Sequence, residues 1–257
     1  MSNVNAIELR NVTKIYRRSH LGRMKEWVGV QDLSLDIRAG EVFGLLGLNG
    51  AGKTTTIKLL LGLLQPTIGS IHLLGQAMPD SKVLGRVGYL PEAAYLNKML
   101  TGFEAVSLYA ALSQIPKRDR PFAVQRALER VGMEQTAQKP ISEYSKGMLQ
   151  RISMAQALVH NPGLLIFDEP ITGLDPLALK EIRQLIAWLK SQGKTIFFSS
   201  HDISEVEKVC DRIGILVNGR LVRLEERSVW HDKPGALEDL FVSTVSQSQT
   251  IGPLRFN

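Results

Sequence analysis

The chain contains Gly47-Leu48-Asn49-Gly50-Ala51-Gly52-Lys53-Thr54, a stretch that fits the pattern G-x-x-x-x-G-K-[ST]. Glycines in such a loop let the backbone wrap closely around phosphate oxygens and point successive N–H groups inward. Lys53 adds a positive charge at the β- and γ-phosphates, and the Thr54 hydroxyl can ligate Mg²⁺. A glycine turn between core elements is the alternative. The candidate phosphate ligands are Gly47, Asn49, Gly50, Ala51, Gly52, Lys53, Thr54 and Thr55.

The sequence on either side of this loop supports the phosphate interpretation. Val42–Leu46 is an unbroken apolar run, as expected for a strand that is covered on both faces. After the loop, residues 57–64 (IKLLLGLL) have helical length and an apolar face. A helix that begins near Thr54 would offer its positive N-terminal end to an anion. We therefore predict a strand, a phosphate loop and a helix in succession.

Two carboxylates follow a second apolar run, in Leu164-Leu165-Ile166-Phe167-Asp168-Glu169-Pro170. In a parallel sheet, ligands bind at the carboxyl ends of the strands. Asp168 in that position suits Mg²⁺, through water, because hard cations prefer oxygen donors. Glu169 is placed to orient or deprotonate an attacking water. Taken alone, the motif is also compatible with a solvated acidic turn.

Composition and charge exclude several classes of protein. The 257 residues include one cysteine, Cys210, so no internal disulfide can form and the fold does not depend on an oxidising compartment. The N-terminal residues lack the apolar core of a signal peptide, and no apolar run approaches the roughly 20 residues of a spanning helix. We expect a soluble chain. Its net charge of +6 suits phosphate ligands, nucleic acid or an anionic membrane surface alike.

Hydrophobic patterns along the chain predict a mixed architecture. Apolar and polar residues alternate around Ile7 and Leu9 and again from Leu33 to Ile37, which favours half-buried antiparallel strands. Residues 93–160 look helical. Strand character returns at residues 164–170, 195–201 and 212–217, and Asn218-Gly219 predicts a hairpin after the last of these.

One further motif separates the many classes of phosphate-binding proteins. Residues Tyr144–Arg151 (YSKGMLQR), about twenty residues before Asp168, resemble the signature of ATP-binding cassette (ABC) ATPases. The resemblance extends from about Ile7 to Arg223, with the family's elements in order. Tyr16 matches the aromatic residue whose ring stacks on adenine, and His201 matches the switch histidine. Gly88–Glu92 matches the loop that joins the catalytic core to the helical subdomain. Gly173-Leu174-Asp175 matches the D-loop.

The resemblance implies a fold and a set of site residues. The fold is α/β, a P-loop NTPase of ABC ATPase type with a parallel-sheet core, an antiparallel β subdomain and an inserted helical subdomain. The predicted ATPase domain is 1–225, with the helical subdomain at about 93–160, and 226–257 is a C-terminal extension with a loose end (243–257). The resemblance implies ATP and Mg²⁺ as ligands. Implied catalytic residues are Glu169, His201 and Lys53, implied metal ligands are Thr54, Glu92 and Asp168, and further nucleotide contacts are Tyr16, Ser145, Gly147 and Asp175.

The signature also has a physical interpretation of its own. Ser145 is a good N-cap for the helix that follows, and Gly147 keeps the backbone accessible, so this helix start is a second phosphate site. In the family, two cassettes meet head to tail and each ATP lies between the phosphate loop of one chain and the signature of the other. Taken alone, Ser145-Lys146-Gly147 is compatible with an ordinary capped helix.

Several single residues have a plain alternative. Tyr16 could be a packed strand-end aromatic, His201 a structural histidine, and Asp175 an N-cap before Pro176. Residues 17–30 form a predicted basic loop with Trp27, which would suit an anionic lipid surface or a partner groove. We favour a solvated excursion for this loop.

We therefore expect the motor subunit of a membrane ABC transporter, bound peripherally at the cytoplasmic face of the membrane. Its partners would be a membrane-spanning permease and a second copy of itself or a homologous cassette, and no nucleic acid is expected. Lys146, Met148 and Glu92 depart from the commonest family pattern in a way that resembles export-type cassettes. The alternative is a soluble ABC ATPase that acts on nucleic acid or ribosomes. A phosphate-loop kinase would leave Tyr144–Arg151 unexplained.

Overall fold

The structure is a computed structural model that describes residues 5–20, 23–93, 95–233 and 235–248. Numbered along the chain, the strands are β1 (Asn5–His20), β2 (Arg23–Arg38), β3 (Val42–Leu46), β4 (Ile68–Leu73), β5 (Gln76–Ala77), β6 (Val87–Leu90), β7 (Leu164–Asp168), β8 (Thr195–Ser200), β9 (Arg212–Val217) and β10 (Arg220–Glu226). The helices are α1 (Lys53–Leu60), α2 (Ser81–Leu84), α3 (Gly102–Leu112), α4 (Arg120–Arg130), α5 (Lys146–Leu158), α6 (Pro176–Ser191), α7 (Ile203–Val209) and α8 (Ala236–Ser248). The chain divides into a first unit, Met1–Pro79 with Ser199–Asn257, and a second unit, Asp80–Phe198.

The first unit contains an antiparallel sheet with the strand order β2-β1-β4-β5. Its core side chains alternate along the strands as the sequence predicts, and Ile7, Leu9 and Leu33 are at most 1% exposed. Pairing of β1 with β4 ends at Thr13 and Ile68, whereas pairing of β1 with β2 continues to His20 and Arg23. Beyond Thr13 the two strands therefore form a long two-stranded ribbon.

Parallel pairing in the first unit joins β3 to β9, with Phe43 opposite Arg212. All five residues of β3 are buried, which confirms the prediction of a strand covered on both faces. β10 pairs antiparallel with β9. The turn between them has left-handed backbone at Asn218 (φ 49°) and Gly219 (φ 80°), as a two-residue type I′ hairpin requires.

A buried ion pair fixes the start of β3 beside the start of β9. Glu41 Oε1 lies 2.9 Å from a guanidinium nitrogen of Arg212, and both side chains are less than 10% exposed. Burial raises the pKa of Glu41, while the Arg38 N–H and the Arg212 guanidinium act in the opposite direction. Because removing one member of a buried pair leaves the other charge uncompensated, this pair holds the strand that leads into the phosphate loop.

The second unit contains a parallel pair, β6 and β7, with the strand order β8-β7-β6. Helices α3, α4 and α5 pack against one another in the same unit. A capping box begins α3: the Thr101 hydroxyl accepts from the N–H of Glu104, and the Glu104 carboxylate accepts from the N–H of Thr101. Parallel strands, antiparallel strands and helices together confirm the predicted α/β class.

Two predictions about local structure are wrong. Within the predicted loop 17–30, residues 17–20 and 23–30 are paired strands of β1 and β2, in which Arg17 forms a 2.7 Å ion pair with Glu26, and residues 21–22 lie outside the described residues. Residues 243–248 are not loose, because α8 extends to Ser248 and buries Thr244 and Val245. The rest of the predicted loose end, 249–257, lies outside the described residues. The predicted domain boundaries at 93, 160 and 225 stay predictions.

Candidate functional site

The phosphate loop lies in the first unit, between β3 and α1. Gly50 and Gly52 both have left-handed backbone, with φ of 82° and 110°. A Cβ at Gly52 would lie 2.5 Å from the carbonyl oxygen of Gly29, so no larger residue fits there. Lys53 is 6% exposed, and its Nζ donates a 2.7 Å hydrogen bond to the carbonyl oxygen of Gly47. The lysine therefore arches back over the loop that it follows.

The start of α1 is suited to an anion. Its N-cap residue, Gly52, makes no side-chain cap, and no acidic residue lies in the first turn. The first N–H groups and the positive end of the helix dipole therefore remain available for a phosphate group. Thr54, Asn49 and Gly50 are exposed, whereas Gly47 and Ala51 are buried beneath them. The residues present fit a bound nucleotide phosphate.

Tyr16 lies near the phosphate loop, on the two-stranded ribbon. Its hydroxyl is 3.2 Å from Oγ1 of Thr55, the residue after Thr54. Its ring stacks on Trp27, with centroids 5.2 Å apart and an interplanar angle of 13°. The sequence predicts a role for the ring alone, and the structure adds a contact of the hydroxyl with the helix that carries the phosphate loop.

His201 directly follows β8 and belongs to the first unit, where its side chain is exposed. The next residue, Asp202, accepts a hydrogen bond from the N–H of Glu205 and caps α7. His201 thus lies at the carboxyl end of β8, as the sequence predicts, and its contact with a nucleotide stays a prediction.

The acidic pair lies in the second unit, at the carboxyl end of β7. Asp168 is 2% exposed and Glu169 is 7% exposed. Glu169 has left-handed backbone (φ 49°), an uncommon conformation for a non-glycine residue. The Thr172 hydroxyl donates a 3.1 Å hydrogen bond to Oε2 of Glu169. Mg²⁺ prefers oxygen donors, and a magnesium ligand at Asp168 stays a prediction.

The loop Gly88–Glu92 begins on β6, beside the acidic pair. Burial raises the pKa of the Tyr89 phenol, and the Asp168 and Glu92 carboxylates and Tyr95 raise it further. The Tyr89 hydroxyl therefore stays protonated and can act as a donor. Glu92 is exposed, and in the part of the chain that the structure describes the next helix after it begins at Gly102.

The signature begins α5, as predicted. Ser145 has extended backbone, and its Oγ accepts a 3.3 Å hydrogen bond from the N–H of Met148. A Cβ at Gly147 would meet nothing within 4 Å, so the backbone at this helix start is open. No acidic residue lies in the first turn of α5. Ser145 therefore caps α5, and phosphate binding at this helix start stays a prediction.

The D-loop residues lie beside the signature in the second unit. Gly173 has left-handed backbone (φ 69°), and the space beside its Cα holds the Lys146 ammonium, which would lie 2.1 Å from an added Cβ. Asp175 is the N-cap of α6, and its carboxylate accepts hydrogen bonds from the N–H groups of Leu177 and Ala178. The capping role of Asp175 is therefore confirmed.

Sequence reasoning did not predict the contacts of four residues near the predicted site residues. Gln150 Nε2 donates a 2.7 Å hydrogen bond to the carbonyl oxygen of Pro170, and Thr172 contacts Glu169. Tyr89 lies near Asp168, and Trp27 stacks on Tyr16. Gln150 has a signal in the sequence, its position two residues after Met148 in the signature helix. For the other three residues, the only signal in the sequence is that they lie close to a motif.

No helix in the described part of the chain is long and apolar enough to cross a membrane. A family model described as "ABC transporter" matches residues 30–172. An uncharacterized ABC transporter ATP-binding protein of Nostoc sp. is 48% identical over 214 residues, which are 82% of this chain and 64% of that relative. The bacitracin transport ATP-binding protein BcrA of Bacillus licheniformis is 40% identical over 84% of this chain and 68% of its own length. The chain thus spans less than two thirds of the Nostoc relative.

The fold is also similar to that of solved structures. A dimeric structure of a post-hydrolysis state of the ATP-binding cassette MJ0796, bound to ADP and Pi, has a TM-score of 0.77 and 26% sequence identity. The match covers 86% of this chain and 98% of that one. The predicted architecture, with its phosphate loop, antiparallel strands and helical insertion, is therefore the one found in ATP-binding cassettes.

Proposed function

Because the chain belongs to the ABC transporter family of ATP-binding proteins, we propose that it is the ATP-hydrolysing motor subunit of a membrane transporter. The observation that carries this proposal is the capped helix start at Ser145 with open backbone at Gly147, in a chain that already has the glycine loop before Lys53. A small kinase or GTPase has no use for such a second site. An ABC ATPase needs it to close a nucleotide between two chains.

Binding of ATP would depend on the first unit. The phosphate loop residues and the start of α1 bind the phosphates through N–H groups, and Lys53 adds its charge at the β- and γ-phosphates. Tyr16 stacks on the adenine. His201, exposed at the end of β8, contacts the γ-phosphate. Thr54, Asp168 and Glu92 would hold Mg²⁺, which, when bound, neutralises charge on the β- and γ-phosphate oxygens.

Hydrolysis would depend on Glu169. As general base, its carboxylate takes a proton from the water that attacks the γ-phosphorus, and the bond to the β,γ-bridging oxygen breaks to release ADP. The Thr172 hydrogen bond to Oε2 limits the rotamers of this side chain, which keeps it in one orientation. Ser145 and Gly147 would bind the γ-phosphate of ATP held by a second cassette, and Asp175 would contact it from the D-loop.

A second cassette and a membrane permease are the proposed partners. Self-association is supported by the dimeric state of MJ0796, and a transport role by the name of the bacitracin relative. Lys146, Met148 and Glu92 support export over import, since they resemble export-type cassettes. Attachment would be peripheral, at the cytoplasmic face of the membrane, where ATP is available.

Purification of the tagged chain in mild detergent tests this proposal. We expect a hydrophobic membrane protein to copurify and to raise the ATPase activity of the chain. Lys53→Ala removes the positive charge that would bind the phosphates. This variant should still copurify with the same membrane protein, but it should hydrolyse no ATP. Copurification of ribosomes or nucleic acid without a membrane protein would favour a soluble ABC ATPase instead.

A further inference from the structure

The ribbon formed by β1 and β2 has an aromatic pair at its centre. Tyr16 and Trp27 are direct cross-strand partners, and their rings lie nearly parallel with centroids 5.2 Å apart. Stacked aromatic rings prefer this separation. Trp27 is 49% exposed, so it is a large apolar side chain that remains partly in water on an isolated pair of strands. Two-stranded ribbons are only marginally stable without further packing, so the stack fixes the geometry of the ribbon here.

The ring of Tyr16 is held on several sides within the first unit. Besides the Trp27 stack and the Thr55 contact, a Cβ at Gly29 would lie 2.6 Å from Cε2 of Tyr16 and 3.0 Å from Cγ2 of Thr55. Gly29 therefore lets the ring and the start of α1 approach each other closely. Lys14 Nζ, which donates a hydrogen bond to the carbonyl oxygen of Gln65, lies 5.8 Å from the ring centroid, near the outer limit of a cation–π contact. Of these neighbours, only Trp27 covers the ring by stacking.

These contacts give the two aromatic residues different tasks. A ring that is already covered on one face can receive a planar ligand only on the other face. A ring whose orientation is fixed in advance loses little conformational entropy when a ligand stacks on it. A tyrosine without such a stack, on a marginally stable ribbon, would lose more conformational entropy. Its side chain and the ribbon would both have to become ordered when the ligand binds.

From this geometry, and resting on the nucleotide site proposed above, we propose that Trp27 is a positioning residue for the nucleobase. It acts through Tyr16, by covering one face of that ring and directing the other face toward the base. The ligand feature that it serves is the planar, aromatic base, and not the phosphates. Trp27 should therefore affect the affinity for ATP without affecting the affinity for a ligand that has phosphates and no base.

The experiment compares ATP with inorganic tripolyphosphate, both with Mg²⁺, by titration calorimetry on the full chain. The variants are Trp27→Ala, Trp27→Phe, Tyr16→Ala and the double variant Tyr16→Ala/Trp27→Ala. Val28→Ala is the matched control, because Val28 is the neighbouring residue on β2 and is also exposed, at 46%. Thermal unfolding of each variant reports separately on the stability of the fold.

We expect Trp27→Ala to weaken ATP binding about 2- to 12-fold, the range of one aromatic pair. Tripolyphosphate affinity should not change, Trp27→Phe should bind ATP like the wild type, and Val28→Ala should have no effect. In the Tyr16→Ala background, Trp27→Ala should not lower the affinity for ATP any further, because the ring through which Trp27 acts is absent.

Equal weakening for ATP and tripolyphosphate would overturn the proposal, because it would show a general structural role for Trp27. The proposal would also be overturned if Trp27→Ala lowered the affinity for ATP equally in the presence and in the absence of the Tyr16 ring, because Trp27 would then act independently of that ring. If the wild type binds ATP and Trp27→Ala binds it just as tightly, only the role of Trp27 fails. If the wild type binds no ATP, the proposed function itself fails.

Discussion

Gln150 Nε2 donates a 2.7 Å hydrogen bond to the carbonyl oxygen of Pro170, the residue that directly follows Glu169. Gln150 lies in the signature helix α5, so one side chain joins that helix to the loop that carries the proposed general base. Both residues belong to the second unit. Gln150 therefore links the position of α5 to the backbone beside Glu169.

Gln150→Ala should slow ATP turnover about 2- to 12-fold, because a net hydrogen bond contributes about 0.5–1.5 kcal/mol. The affinity for ATP should stay unchanged, since the phosphate loop is not altered. Steady-state kinetics together with ATP titrations check this. Gln125→Ala is the control, because the Gln125 hydrogen bond to Glu129 is exposed and lies within one helix. Equal losses in both variants would remove the special role of Gln150.

Gly173→Ala should destabilise the protein by about 1–2 kcal/mol, because the left-handed backbone (φ 69°) is unfavourable for alanine. The added Cβ also displaces the Lys146 ammonium, but a long flexible side chain moves at little cost. Denaturant unfolding of Gly173→Ala, with and without Lys146→Ala, separates the two effects. Gly163→Ala, with no atom within 4 Å of the new Cβ, is the control and should be nearly neutral. A full rescue by Lys146→Ala would show that the collision dominates instead.

Stability should fall at acid pH through His160. Burial lowers the pKa of His160 and the nearby Lys194 lowers it further, against a 3.2 Å contact of Nε2 with the carbonyl oxygen of Val87. A histidine with a depressed folded-state pKa contributes stability above its unfolded pKa, near 6.5, and that contribution is lost as the pH falls.

The melting temperature of the wild type should therefore fall more between pH 7.5 and pH 5.5 than that of His160→Gln, in which an amide can replace Nε2. His231→Gln is the control for this comparison, because His231 is exposed. If His160→Gln loses as much stability as the wild type over this range, the titration of His160 does not contribute.

The shared site predicts complementation between two inactive chains. Lys53→Ala lacks the positive charge that would bind the phosphates, and Ser145→Arg blocks the signature. Each variant alone should be inactive, whereas their mixed dimer keeps one site built from two intact halves. Mixing equal amounts should restore about a quarter of wild-type activity if the sites work independently, because half of the dimers are mixed and each has one site. Activity that does not rise on mixing would count against a site shared between chains.

Much of the fold was predictable because its signals are local. Continuous apolar runs marked β3 and β7, alternation marked β1 and β2, and Asn218-Gly219 marked a turn that needs two left-handed residues in succession. The extension of the strands past Tyr16 was not predictable. A two-stranded ribbon has no hydrophobic core to cover, so its residues do not alternate between apolar and polar. Its stability comes from cross-strand pairs such as Tyr16 with Trp27, which a linear pattern does not reveal.

The candidate site was predictable to the extent that its residues lie in motifs. The motifs indicated Lys53, Asp168, Glu169 and Ser145, and the structure places each of them at a strand end or a helix start. The Gln150 bond to Pro170 and the position of Lys146 beside Gly173 join segments that lie twenty or more residues apart in the chain. Such contacts depend on how α5 packs, and no spacing in the sequence encodes them.

The central claim is that this chain hydrolyses ATP with Glu169 as the general base, and Glu169→Gln tests it most directly. Glutamine keeps the size of the side chain and an oxygen that can accept the Thr172 hydrogen bond, but it cannot take a proton from water. We predict that the purified variant binds ATP like the wild type, turns it over about 10²- to 10⁴-fold more slowly, and accumulates as a dimer that holds ATP and not ADP. Near-normal steady-state hydrolysis by Glu169→Gln would contradict the account.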